Sequence, residues 1–166
     1  MSTQLQNYIN TNHIKCDDYM TPKSAWENIA YLIPRDKLIW EAFYGDGSSG
    51  KYLEDLGFNV IHDMEDFFIC NKGDIIVSNP PFSKLKDILV RLKEIDKPFI
   101  LILPTAKICS QYFRDFIINN PNKLQIIIPK KRIHFQKMNT INKPSAWFDC
   151  FYYCYKMDFE QDIIFL

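Results

Sequence analysis

The sequence predicts an α/β domain built on a twisted, mostly parallel sheet with helices on both faces. Three observations carry this reading. Short apolar runs rich in Ile, Val and aromatic residues alternate along the chain with amphipathic stretches of helical length. One run, Asp74-Ile75-Ile76-Val77, stops at Ser78-Asn79-Pro80-Pro81-Phe82, as a buried strand does when a proline pair ends it. Another, Leu38 to Phe43, opens into a turn with three glycines in six residues, Gly45-Asp46-Gly47-Ser48-Ser49-Gly50. At 166 residues, 47% hydrophobic and 15% aromatic, the chain has ample apolar surface for a single core.

Residues 1–16 are expected to form a flexible amino-terminal tail, with 17–166 as one domain. Pro22 after Thr21 suits a helix start, and Ser24 to Leu32 continues as helix until Pro34. Strand Leu38 to Phe43 leads to helix Ser48 to Leu56, closed by Gly57, and then to strand Asn59 to His62. Strand Asp74 to Ser78 precedes helix Lys84 to Ile95, whose Leu85, Ile88, Leu89 and Leu92 share one face. Strand Phe99 to Leu103, helix Lys107 to Ile118, strand Leu124 to Ile128 and a long aromatic strand from Ala146 to Tyr155 complete the series.

Several classes of function lack support. Cys16, Cys70, Cys109, Cys150 and Cys154 form no CxxC pair, and Cys150 and Cys154 share one face of a strand, so buried thiols are expected rather than a zinc site. His13, His62 and His134 show no ligand spacing, and no metal is expected. No uncharged run has membrane-spanning length and no leader pattern is seen, which points to a cytoplasmic or nuclear protein.

The net charge of zero hides a division. Residues 1–78 carry 6 Lys+Arg against 12 Asp+Glu, residues 79–156 carry 14 against 5, and the last ten add three acids. The sign changes at Asn79-Pro80-Pro81-Phe82, which suggests two ligands meeting there, the second a polyanion. Lys130, Lys131 and Arg132, followed by Lys137 and Lys143, are the candidate phosphate contacts.

The glycine turn differs from a pyrophosphate-binding loop in one respect. An acid, Glu41, stands in the strand end, where it repels a pyrophosphate and attracts an ammonium or sulfonium group, so the implied cofactor is cationic. At the other stretch, residues before each proline are pushed to extended geometry. An amide, freed carbonyls and an aromatic ring held at the end of a central strand suit a flat base bearing an amino group.

These residues resemble the S-adenosylmethionine-dependent amino-methyltransferases that modify adenine N6. Glu41-Ala42-Phe43-Tyr44-Gly45-Asp46-Gly47 is similar to the family's cofactor loop, and Ser78-Asn79-Pro80-Pro81-Phe82 matches its catalytic (D/N/S)PP(F/Y/W) motif, in the gamma-type order. The nearest likeness is to small phage-type and large-virus-type DNA adenine methylases, through Asp66-Phe67-Phe68, Arg132-Ile133-His134-Phe135 and Trp147-Phe148-Asp149-Cys150. The resemblance implies a Rossmann-like class I methyltransferase fold. Asp74 comes only eleven positions after Asp63, too few for the usual helix and strand, so the sheet should be shortened between strands 2 and 4.

The resemblance also implies site residues. Tyr19 and Thr21 would hold the methionine end of the cofactor, Thr21 at its carboxylate, with Glu41, Phe43, Gly45 and Gly47 lining that side. Asp66 would accept from the cofactor's adenine amino group beside the Phe67 backbone, and Asp63 would accept from the ribose, although those two roles could be exchanged. Asn79, Pro80, Pro81 and Phe82 would form the catalytic stretch, with Asn79 also bordering the cofactor. The Asn79 side-chain oxygen and the Pro80 carbonyl would accept from the target amino group, and Phe82 and Phe135 would stack on either side of the base. The motif admits an acid at its first position, so Asn79→Asp is expected to keep substantial activity.

The expected activity is methyl transfer to N6 of a flipped or unpaired adenine in DNA. The same chemistry on RNA adenine or a protein glutamine amide, or a non-catalytic cofactor-binding subunit, are the alternatives. No separate target-recognition domain is expected, which leaves target choice to a homodimer, a partner subunit or a preference for single strands.

Overall fold

The strand Ile75–Ser78 is buried at all four positions, and the sheet extends from it in both directions. The computed structural model describes residues 19–120, 123–137, 146 and 148–166. In chain order its strands are β1 (Tyr19–Met20), β2 (Leu38–Trp40), β3 (Asn59–Ile61), β4 (Ile75–Ser78), β5 (Phe99–Pro104), β6 (Leu124–Ile128), β7 (Gln136–Lys137), β8 (Cys150–Tyr155) and β9 (Ile163–Phe165). Its α-helices are α1 (Lys23–Ile29), α2 (Ser48–Asp55), α3 (Leu85–Ile95) and α4 (Gln111–Ile118). Seven strands form one sheet in the order β3-β2-β4-β5-β8-β6-β9, and β1 and β7 form a separate two-stranded ribbon. Every neighbour in the large sheet is parallel except β8, which runs antiparallel to both β5 and β6.

Adjacent side chains on a strand point to opposite faces, and β8 shows what covers each. The Tyr152 hydroxyl donates to the Ala25 carbonyl of α1 at 2.7 Å. The ring of Tyr153 packs edge-on against Phe113 of α4 at 5.3 Å. Helices therefore cover both faces. Helix α3 buries Leu85, Ile88, Leu89 and Leu92, the stripe its sequence period specifies.

No strand forms between β3 and β4, so the sheet is shortened there and β3 becomes an edge. Other boundaries move for local reasons. The expected helix from Lys107 is divided: Thr105–Cys109 makes a 3-10 turn and Ser110 is extended. The Ser110 carbonyl then accepts from the N–H groups of Phe113 and Arg114, starting α4. β2 leaves the regular sheet after Trp40, and the aromatic strand begins at Cys150 rather than Ala146. Cys150 and Cys154 are buried, as their spacing implies. Strands β1, β7 and β9 are two or three residues long and give no periodic signal. The tail 1–16, with Cys16 and His13, and Lys143 lie outside the described residues.

Gly50 fixes how closely α2 lies on β3. A Cβ at this position would stand 2.2 Å from Cγ and 2.5 Å from Cβ of His62, atoms too near the backbone to swing aside. Gly50→Ala should destabilise the fold by about 1–3 kcal/mol in urea unfolding. Adding His62→Ala should recover most of that loss, whereas an unchanged loss in the double variant would show that the contact is not its source.

Candidate functional site

β2 and β4 are adjacent and parallel, with Trp40 opposite Ile76, so their carboxyl ends deliver Glu41 and Ser78 side by side. Ligands of such sheets bind beyond this end. Ser78 is fully buried and its hydroxyl donates a short hydrogen bond to Glu41 Oε1. Glu41 is 1% exposed, and its second oxygen, Oε2, is buried without a hydrogen-bond partner. Burial pushes the carboxyl up to about 8, against the opposing pull of the Ser78 hydroxyl and the Phe43 backbone N–H. The site holds an acid that a cation would ionise.

The turn beyond Glu41 is shaped by its glycines. Gly47 has φ +80° immediately before α2, and a Cβ there would meet the Tyr44 hydroxyl at 2.7 Å. Asp46 closes the turn: Oδ1 accepts from the Ser48 N–H at 2.9 Å and from the Ser48 hydroxyl at 2.6 Å. Gly45 lies close to Met20, whose Sδ would be 3.4 Å from an added Cβ. Met20 precedes Thr21, which is 4% exposed and whose Oγ1 is likewise buried without a partner.

The same amino-terminal segment reaches Asn79. Asn79 Nδ2 donates to the Tyr19 carbonyl at 3.1 Å, and Oδ1 is buried and unpartnered. With the amide nitrogen tied back, only the oxygen is left to accept. Pro81 is extended (φ −65°, ψ 116°), and Phe82 begins a 3-10 turn leading into α3. The ring of Phe82 is 9% exposed and meets Phe148 edge-on at 5.6 Å.

Phe148 also contacts Tyr19 at 5.2 Å and Phe135 at 6.2 Å, and Phe135 is 3% exposed. Phe148 thus stands between Phe82 and Phe135, the two rings expected to flank a base. The ribbon of β1 and β7 holds this cluster, because Tyr19 pairs with Lys137. Lys130, Lys131 and Arg132 are exposed beyond β6, and Arg132 Nε contacts Asp149 Oδ1 at 2.8 Å.

The loop after β3 holds the remaining candidates. Phe67 is buried, 4.8 Å from Phe43 and 5.6 Å from Trp40. Asp66 spends Oδ1 on its own turn, accepting from the Phe68 N–H at 2.9 Å. Asp63 is exposed and lies 3.6 Å from Lys72. The sequence did not single out the Ser78 hydroxyl, the Tyr19 carbonyl or the Phe148 ring as functional. The adjacency of β2 and β4 predicts the first, whereas the other two depend on two-residue strands. No group of metal-ligating side chains occurs among the described residues.

No family model matches the sequence, and no curated protein matches it. Solved structures do. A protein from Listeria monocytogenes assigned to the class I S-adenosylmethionine-dependent methyltransferases superposes with TM-score 0.50 and 12% identity, covering 97% of this chain and 69% of that one. The fold is that of a class I methyltransferase. Two further similarities are a Thermotoga maritima S-adenosylmethionine-dependent O-methyltransferase (TM-score 0.49, 11% identity, 96% and 73% covered) and an Aquifex aeolicus tRNA methyltransferase (0.44, 14%, 91% and 74%). In this class I sheet, the Glu41 and Asn79 sites occupy the carboxyl ends of β2 and β4.

Glu41 makes stability depend on pH. Its folded value, about 8, lies above the ordinary carboxyl value of 4.5, so the folded protein holds a proton that the unfolded chain releases. The stabilisation is complete below pH 4.5 and is lost as pH rises towards 8, by a total on the order of 5 kcal/mol. Glu41→Gln should remove this slope. The measurement is urea stability at pH 5 and pH 8, and equal slopes in the two proteins would show that Glu41 does not titrate in this range.

Proposed function

We propose that the protein transfers the methyl group of S-adenosylmethionine to N6 of an unpaired or flipped adenine in DNA. The observation that carries this reading is the pair of buried, unpartnered oxygens on Glu41 and Asn79, joined through Ser78 and set at the carboxyl ends of adjacent strands. The residues fit the cofactor. Glu41 Oε2 suits its ammonium and Thr21 Oγ1 its carboxylate, with Phe43 and the glycine turn beside them on the methionine side; Phe67 and one oxygen of Asp66 suit the adenosine side. S-adenosylmethionine supplies a methyl group already activated on a sulfonium.

The chain's task is then to position the acceptor. The lone pair of an adenine amino group is delocalised into the ring, and Asn79 Oδ1 with the Pro80 carbonyl can draw its hydrogens out of plane and stabilise the charge gained on methylation. Phe82 offers a stacking face at the end of this stretch, worth about 1–3 kcal/mol by analogy with single-strand binding. Use of that face requires the Phe148 ring to give way, so the aromatic cluster acts as a plug that the base displaces. The exposed Lys130 and Lys131 favour a nucleic acid as the carrier of the base.

The direct test offers labelled S-adenosylmethionine to single- and double-stranded DNA, RNA and protein, with the product identified by mass spectrometry. N6-methyladenine in DNA is expected. Label confined to RNA or to a glutamine amide would keep the chemistry and change the substrate, and absence of transfer to all four would overturn the reading.

Asn79→Ala should lower kcat by about 10²–10³ and leave cofactor-induced thermal stabilisation intact. The hydrogen bond from Asn79 Nδ2 to the Tyr19 carbonyl argues against the activity expected of Asn79→Asp, because a carboxylate oxygen would face that carbonyl where an N–H now donates. Its kcat should fall as far as that of Asn79→Ala. An Asp variant close to wild type would show that the Tyr19 anchor is unimportant.

Charge reversal at Lys130 and Lys131 should weaken DNA binding and flatten its salt dependence while cofactor affinity is unchanged. Titration of both ligands between low and moderate salt checks this, and equal losses of both affinities would contradict it.

A further inference from the structure

β9 closes the sheet with an edge that lacks the usual protection. It pairs with β6 on one side, and among the described residues no strand pairs with the other. The Asp162 carbonyl accepts from the Ile126 N–H at 2.8 Å and the Leu166 N–H donates to the Ile128 carbonyl at 3.1 Å. In a parallel ladder this alternation turns the backbone groups of residues 162, 164 and 166 towards β6, and those of Ile163 and Phe165 outward. The side chains of Ile163 and Phe165 are 51% and 75% exposed. No charge, proline or bulge interrupts Ile163-Ile164-Phe165-Leu166, although edges are ordinarily blunted by such devices.

We propose that this edge pairs with the same edge of a second copy of the chain, antiparallel about a two-fold axis at Ile164. The register follows from the outward groups. Ile163 of each copy faces Phe165 of the other and exchanges two N–H···O bonds with it, giving four bonds across the axis, and Ile164 faces Ile164 as the pair without hydrogen bonds. Each exposed Ile then meets an exposed Phe on the same face, a favourable β-branched–aromatic pair.

Charge selects the second copy as the occupant. Ile128 lies beside Phe165, so the chain after β6 carries exposed Lys130 and Lys131 past the carboxyl end of β9, while exposed Asp158, Glu160 and Asp162 flank its amino end and outnumber Lys123, which lies 3.6 Å from Asp162. The antiparallel arrangement brings the basic end of each copy alongside the acidic end of the other, and a parallel one sets like against like. Together the pairings give a continuous sheet of fourteen strands, twice the seven present in one chain.

Sedimentation equilibrium of the full chain, over low to high micromolar concentration, tests the proposal. A monomer–dimer equilibrium weakened by salt is expected. Phe165→Lys should abolish the dimer without lowering the melting temperature of the monomer, because the side chain is already exposed. Ile163→Pro should do the same by removing an outward N–H, whereas Ile164→Pro breaks the bond to β6 and destabilises the monomer itself. A protein that stays monomeric throughout the range, or a dimer untouched by both Phe165→Lys and Ile163→Pro, would overturn it. Phe165 and Ile163 belong to neither the cofactor site nor the DNA contacts, so the two variants test the dimer and not methyl transfer, which is measured separately.

Discussion

The hydrogen bond between Ser78 and Glu41 connects the two halves of the site. An acid with almost no exposure would ordinarily be ejected from a core, and here one oxygen is held by a buried hydroxyl while the other is left without a partner. The arrangement costs stability in the empty protein at neutral pH. A bound cation would return that cost as affinity, because the acid then ionises against an opposite charge instead of in isolation. Since Ser78 immediately precedes Asn79, whatever settles the acid also fixes the start of the proline stretch.

Much of this was legible in the sequence because the central features are local. The Ile-Val run ending in two prolines specifies β4, and the glycines after Phe43 specify the turn into α2. The shortening between β3 and β4 followed from the short interval between Asp63 and Asp74 set against the pattern that the resemblance implies. What escaped were features created by distant segments meeting. Tyr19 touches Asn79 across 60 positions, and Phe148 sits among Tyr19, Phe82 and Phe135, three rings from three separate segments. No period or spacing announces such contacts.

The same distinction explains the aromatic residues. The aromatic content was read as material for a core, and Tyr152 and Tyr153 do bind helices on opposite faces; of the two rings that the resemblance assigns to stacking, Phe135 is packed away from solvent. Phe82 differs by position rather than type. It directly follows Asn79-Pro80-Pro81 and begins the turn into α3, so its ring is held close to the buried Asn79 oxygen in sequence as well as in space.

The placement of β8 has a consequence for how the protein is made. β5 and β6 are not neighbours; β8, which comes after both in the chain, pairs with each and is what joins β6 to β5. A ribosome that has released residues through Ile128 has produced both flanks of a gap and nothing to fill it. β6 and β9 can therefore join the sheet only after Cys150–Tyr155 emerges, and until then β5, whose six side chains are all buried in the finished sheet, keeps one edge of backbone N–H and C=O groups unpaired, the kind of open edge that exposes an incomplete sheet to aggregation.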